Sequence, residues 1–153
     1  MTITLRDNFS LGAAGLAEGT AANTFQVANI LHYVINGRAY RKAVTDSIAF
    51  AAGTFTAFVA QAAQKIAVYY FFIDTAGAIT VKQSAQVPNA QVASYVAGAF
   101  DWPDEPNLAC IGALRITTNN AATFTPGSVD LGAADVVDVF FDVGPDYGVP
   151  VTY

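Results

Sequence analysis

Short apolar runs separated by turn residues recur along most of this chain. The clearest ones lie at 25–45, 65–83, 108–117 and 135–143, and they are rich in Val, Ile, Tyr and Phe. Turn residues bound these runs at intervals of about 8–12 residues, which is typical of β-sandwiches and barrel-like sheets. The pattern therefore predicts a mainly β fold, a β-sandwich or barrel-like antiparallel sheet.

Two of these runs carry specific hairpin signals. Asn36 and Gly37 interrupt the first run, and both residue types tolerate the positive φ that a type I′ turn requires. In the second run, Asp74 and Gly77 flank a short break between Lys65–Asp74 and Ala78–Gln83. We therefore expect a β-hairpin in each run.

The segments between these strands are less regular. Within Ser47–Ala60 the alternation is weaker, and Gly53 is expected to separate two short strands. Apolar residues recur at helical spacing over 89–99, between Pro88 and Pro103. This spacing predicts one short helix around 89–99, with an irregular stretch as the alternative.

The beginning of the chain differs from the rest. Residues 10–24 are small and Gly-rich and show no strong periodicity. We expect residues 1–24 to form an extended N-terminal arm that orders against a neighbouring subunit. Residues 25–153 then form a single β-rich domain.

Composition narrows the class of protein. Of the 153 residues, 54% are hydrophobic and only 12% are charged, which suits one domain with a sizeable core. The densest apolar run, Ile66–Ile73, is far shorter than the about 20 residues that span a membrane. The net charge of −5 disfavours a basic face for nucleic acid. We expect a soluble protein, made in a reducing cytoplasm, that binds neither membrane nor nucleic acid.

The charges are unevenly distributed along the chain. Residues 1–100 contain six basic and four acidic side chains, whereas residues 101–153 contain eight acidic side chains and Arg115 alone. One interpretation is that the charges only keep an apolar domain in solution. The other is head-to-tail contact between subunits, from the basic hairpin of one to the acidic C-terminal half of the next, which high salt would weaken.

Few residues are candidates for chemistry. His32 and Cys110 are the only histidine and the only cysteine, and each lies in an apolar predicted strand. Neither has the neighbours that a zinc site or an activated thiol requires. The chain contains no phosphate-binding loop and no dinucleotide-binding glycine pattern. We therefore expect a protein that is not an enzyme and has no catalytic residues, cofactor or metal.

A resemblance is carried by the stretch Ala109–Leu131, ACIGALRITTNNAATFTPGSVDL. It resembles a segment of small structural proteins of tailed bacteriophages, in which an Ile-Gly strand leads to a polar turn and a Phe-x-Pro-Gly corner. The Asn-Gly hairpin and the IDTAGAITV hairpin lie upstream in the corresponding order. The resemblance implies a capsid decoration or cement protein on the virion surface, bound to the major capsid protein at subunit junctions. It also implies a homotrimer or a dimer.

These considerations select the residues expected at partner interfaces. They come from the arm and its end, from the basic hairpin and from the acidic C-terminal half: Leu11, Leu16, Phe25, Arg38, Arg41, Lys42, Asp135, Asp138 and Asp142.

A second hypothesis is a receptor- or carbohydrate-binding β module of a phage fibre or tail. It depends on Trp102, which lies in a Pro-rich loop beside Asp101, Asp104 and Glu105. An indole ring next to carboxylates can stack on a sugar and hydrogen-bond its hydroxyl groups.

Overall fold

The strands of the chain pair into three antiparallel sheets in the computed structural model, which describes residues 7–94 and 102–143. The fold is mainly β, as predicted. The strands are β1 (Asn8–Ser10), β2 (Leu16–Glu18), β3 (Thr24–Val27), β4 (Leu31–Ile35), β5 (Arg38–Lys42), β6 (Thr45–Ala49), β7 (Lys65–Ile73), β8 (Ile79–Gln83), β9 (Val87–Pro88), β10 (Ala109–Thr118) and β11 (Val136–Asp142).

The largest sheet is built around β7. This strand pairs with β10 on one side and with both β8 and β9 on the other, and β11 adds an edge beyond β10. All residues of β7 after Lys65 are buried. A strand of successive Ile, Val, Tyr and Phe side chains is suited to this position, since both of its faces must meet apolar groups.

Two three-stranded sheets, ordered β1-β4-β5 and β2-β3-β6, pack on one face of the large sheet. Their inward side chains include Phe25, whose ring lies 4.7 Å from that of Phe71, and Tyr33, which is almost fully buried. Sheets packed face to face around one shared core give the sandwich-like architecture that the sequence predicted.

The other face of β7 is covered by a smaller apolar cluster. Phe72 meets Phe55 with ring centroids 5.4 Å apart, and Tyr70 meets Trp102 edge-on at 5.9 Å. Lys82 and Glu105 form an ion pair beside this cluster, and the ammonium of Lys82 lies over the ring of Phe55. Both faces of the strand are therefore covered by the chain itself.

Both predicted hairpins are confirmed. Asn36 and Gly37 connect β4 to β5 with φ of 50° and 74°, the backbone that a type I′ turn needs. Between β7 and β8, the Asp74 carboxylate accepts the amide N–H groups of Ala76 and Ala78 at 2.8 and 2.9 Å. Local turn chemistry thus determines the register of both pairs.

The expected N-terminal arm is corrected over residues 8–24. This segment is part of the folded domain, because β1 pairs with β4 and β2 pairs with β3 of the same chain. Ala14 and Leu16 are buried in the main core. This stretch passes close to the large sheet, since the side chain of Leu16 packs directly on the backbone at Gly112.

Two further expectations are corrected in part. Over Ser47–Ala60 the chain forms only β6, and no second strand follows Gly53. The predicted helix around 89–99 is a 3₁₀ helix over Asn89–Ser94, and residues 95–99 lie outside the described residues.

No helix within the described ranges is both long and apolar enough to cross a membrane.

Glutamine side chains hold the irregular segment in place. The buried Gln61 side chain donates to the carbonyls of Lys65 and Ile116 at 2.9 and 3.0 Å, and its oxygen accepts the Tyr69 hydroxyl. Gln83 pairs with both backbone groups of Val59 at 2.8 Å. These amides replace the ladder of a strand, because a primary amide presents a donor and an acceptor as the backbone does.

We expect Gly112→Ala to destabilise the domain by about 1–3 kcal/mol, the usual cost of overpacking a core. A Cβ at this position would collide with the Leu16 side chain and with the carbonyl oxygen of Phe141. Urea unfolding followed by circular dichroism measures the loss. Gly12→Ala is the matched control, because nothing lies within 4 Å of a Cβ there. Equal stability of the two variants would contradict this packing.

Candidate functional site

The isolated histidine and cysteine are not brought together. His32 is exposed on β4, whereas Cys110 is half-buried on β10 of the large sheet. Within residues 7–94 and 102–143, no three His, Cys, Asp or Glu side chains are arranged to hold a metal ion.

The three apolar residues selected as interface candidates have different environments. Leu16 and Phe25 are core residues, with exposed fractions of 6% and 0%. Leu11 is 46% exposed, and its N–H donates to the carbonyl of His32 at 2.8 Å. Of the three, only Leu11 is available to a partner.

The three basic side chains of the hairpin project to two different faces of the β1-β4-β5 sheet. Arg41 pairs with His32 across β4 and β5, and both are exposed. Arg38 is also exposed, but it lies three residues away on the same strand and so projects to the opposite face. Lys42 lies on the core side with Leu31, and its ammonium donates to the carbonyl of Gly77 at 2.9 Å. Charged side chains on an edge strand also oppose pairing with a foreign strand.

Two of the three acidic interface candidates in the C-terminal half make hydrogen bonds within the fold. One Asp142 oxygen accepts the N–H of Leu16 at 3.0 Å, which ties β11 to β2. Asp135 has a positive φ of 63° before β11, and it accepts the side-chain amide of Asn120 at 2.8 Å. Asp138 shares a face with Asp142 and is half-buried. Of the three, Asp135 is exposed, and Asp138 and Asp142 are half-buried.

Glu18 is a member of the acidic region that sequence reasoning missed. It ends β2 and lies close to Asp130 and Asp138. Loss of hydration raises the pKa of the Glu18 carboxyl above its usual value, and the negative charges of Asp130 and Asp138 raise it further. Their separation by more than 100 residues in sequence gave no local signal of this cluster.

The basic hairpin and the Asp138 carboxylate lie toward opposite ends of the large sheet. The β1-β4-β5 sheet contacts the end where β7 finishes and β10 begins: the Tyr33 hydroxyl donates to the Asp74 carbonyl, and the Asn36 amide donates to Asn107. Asp138 pairs with Ile116, seven residues further along β10, or about 24 Å away. The basic hairpin and Asp138 are therefore separated in space.

The outward face of the β1-β4-β5 sheet is largely apolar. Strand pairing aligns its side chains in two rows across the three strands. One row contains Phe9, Val34 and Ala39, and the next contains Leu11, His32 and Arg41. Ile30, just before β4, is 50% exposed beside them. We call this surface, made by Phe9, Leu11, Ile30, His32, Val34, Ala39 and Arg41, the outer face.

Trp102, the candidate for glycan contact, takes part in packing. Its ring is half-buried and lies edge-on against Tyr70 in the smaller apolar cluster. Of two open depressions of about 310 Å³, one is lined by Thr54, Phe55 and Lys82 among others, and one by Thr56, Val59, Gln83 and Gln86 among others. Both glutamine amides there already hydrogen-bond backbone groups of residues 59–62. These observations do not favour a sugar site.

Comparison with known proteins found no match: no family model, no curated protein and no solved structure is similar to this chain.

We expect Glu18→Gln to raise the melting temperature at pH 7. A raised pKa means that the folded chain binds the Glu18 proton more tightly than the unfolded chain, so the stability falls as the pH rises above about 4.5. Removing the ionisable group removes this loss, and the variant and wild type should converge near pH 3.5. Thermal unfolding measured across pH 3.5–8 tests this.

Asp46→Asn is the control of opposite sign. Hydrogen bonds from Thr20 and Ser47 lower the pKa of the Asp46 carboxyl, so its charge favours the fold at neutral pH. This variant should melt below wild type at pH 7 and approach it as the pH falls through the lowered pKa. A pH-independent difference for Glu18→Gln would contradict the electrostatic explanation.

Proposed function

We propose that this chain is a non-enzymatic structural protein of a tailed-bacteriophage virion, a head decoration protein that binds the outer capsid surface at subunit junctions. Its partner would be the major capsid protein. Two features support this proposal. One is the resemblance of Ala109–Leu131 to small phage structural proteins, and the other is the exposed apolar surface of the folded domain.

The residues that carry the resemblance have structural positions in this fold. Ile111 lies at a register shift where β10 pairs with β7, and Gly112 leaves room for Leu16. Phe124 and Pro126 are buried at the corner that follows β10. These residues therefore have structural roles, and the fold explains why the sequence pattern has this form. The proposed function rests on the exposed surfaces of the domain.

The observation that carries the proposal is the outer face. A sheet normally buries at least one face, and exposed apolar surface beyond scattered residues marks a site of protein contact. Here one face of the β1-β4-β5 sheet packs on the core, and the other presents Leu11 and Ile30 beside Phe9 and Val34. A β domain that presents an apolar face is suited to assembly with other proteins.

The test is binding to phage heads. Heads purified from a phage mutant that lacks this protein are mixed with the purified chain and sedimented. We expect saturable co-sedimentation in a fixed ratio to the capsid protein, and better survival of the heads on heating. Serum albumin at equal concentration is the control for trapped protein.

Absence of co-sedimentation at all concentrations would contradict the proposal. A glycan array separates it from the carbohydrate-binding hypothesis: binding to a glycan that is lost in Trp102→Ala would favour that hypothesis instead.

A further inference from the structure

We infer that the free edge of β11 binds an extended, basic segment of another protein, which adds to the large sheet as a further antiparallel strand. This edge belongs to the large sheet and is separate from the outer face. The inference therefore goes beyond the proposed function and does not rest on it. Two features of the edge support it, the direction of its backbone groups and the chemistry of the side chains beside them.

Alternate residues of β11 direct their backbone N–H and C=O groups away from the sheet. The N–H of Asn119 donates to the carbonyl of Asp135 at 2.8 Å, and the pairing of β10 with β11 continues from there without a register shift. In an antiparallel ladder, every second residue exchanges such bonds with its partner strand. The odd-numbered residues of β11 therefore bond to β10, and the backbone groups of Asp138 and Phe140 point outward.

No strand of the described chain takes up these outward groups. Within residues 7–94 and 102–143, β11 pairs with β10 alone and is an end strand of the large sheet. Strand β2 approaches β11, but a side-chain bond joins the two, from the N–H of Leu16 to the Asp142 carboxylate, and they form no ladder. An edge that presents unpaired donors and acceptors is a template for an added strand.

The two faces of this edge differ in chemistry. Asp138 lies on the core side of β11, and the carboxylates of Glu18 and Asp130 lie close to it. Among the described residues, no cation forms an ion pair with these three carboxylates. The opposite face presents Val137, which is 46% exposed, and the half-buried Val139. An added strand is therefore stabilised by Lys or Arg at every second position and by apolar side chains between them.

The same carboxylates disfavour a second copy of this chain on the edge. Two β11 strands paired antiparallel about Phe140 would set Asp138 of each copy opposite Asp142 of the other. Like charges directly opposite each other are destabilising, and charged side chains on a free edge oppose such self-pairing. A basic segment meets no repulsion of this kind, because its charge is complementary to the edge.

The first test is fluorescence polarisation with a labelled peptide of alternating Lys and Val that has seven residues, as β11 has. We expect saturable binding that rising salt weakens, because the ion pairs lie at the surface. The matched peptide with Glu in place of each Lys should bind about tenfold more weakly, since like charges then face each other. Equal binding of the two peptides, or binding of neither, overturns the inference.

The second test distinguishes strand addition from charge attraction alone. In the antiparallel arrangement, the peptide residues opposite Asp138 and Phe140 exchange both backbone bonds with them, and these residues are the lysines. N-methylation of the lysines removes those donors, whereas N-methylation of the valines removes donors that face solvent. The first peptide should lose about tenfold in affinity, and the second, the matched control, should bind as the parent does. An equal effect of the two modifications overturns strand addition.

The third test locates the contact on the protein. Asp138→Asn should weaken peptide binding about fivefold, since it removes one carboxylate of the three. Asp104→Asn is the matched control, because Asp104 is an exposed acidic residue in the loop before β10. Melting temperatures show that both variants fold. Equal binding by the two variants places the peptide elsewhere and overturns the inference.

Sedimentation of the chain alone tests the other occupant of the edge. A dimer that the peptide dissociates would assign the edge to a second copy, through its basic β5 for example, and would overturn the inference. The outcomes are distinguishable from those of the head-binding test. A chain that binds the peptide but not phage heads supports the edge site and contradicts the proposed function, and the reverse result contradicts the edge site alone.

Discussion

The burial of β7 on both faces is the constraint on which the rest of the structure depends. Eight successive residues of this strand are buried, so one packed layer is needed on each side of the large sheet. The two N-terminal sheets cover one face, and Phe55 and Trp102 help to cover the other. The buried Tyr69 hydroxyl is satisfied by Gln61 and Gln83, since an unpaired buried hydroxyl would be costly.

Covering β7 also determines which surfaces remain open. The β1-β4-β5 sheet uses one face to bury Tyr33 and Leu31 against the core, and its other face presents the exposed side chains of Leu11 and Ile30. The carboxylates of Glu18, Asp130 and Asp138 gather at a distance from this sheet, at the cost of mutual repulsion. A protein that binds neighbouring proteins is helped by a surface on which an apolar region and an acidic region are separate.

Local chemistry made the hairpins and the long strands predictable. Asn36-Gly37 and Asp74 to Gly77 specify their turns by positive φ and by side-chain hydrogen bonds, which depend on few residues.

The candidate site was less accessible to prediction. Leu16 and Phe25 were assigned to an interface, yet β2 and β3 carry them into the core. Arg38 and Arg41 are neighbours in sequence, but alternation along β5 separates them.

The sequence by itself determined that the protein is mainly β, which residues turn the chain, and that its charges are unequally divided. These properties follow from residue type and short spacing, because turn geometry and side-chain alternation act over a few residues. Only the tertiary structure decided that residues 8–24 belong to the domain and that Glu18 lies with Asp130 and Asp138. Each of these depends on strand pairing across long stretches of chain, which the local pattern does not encode.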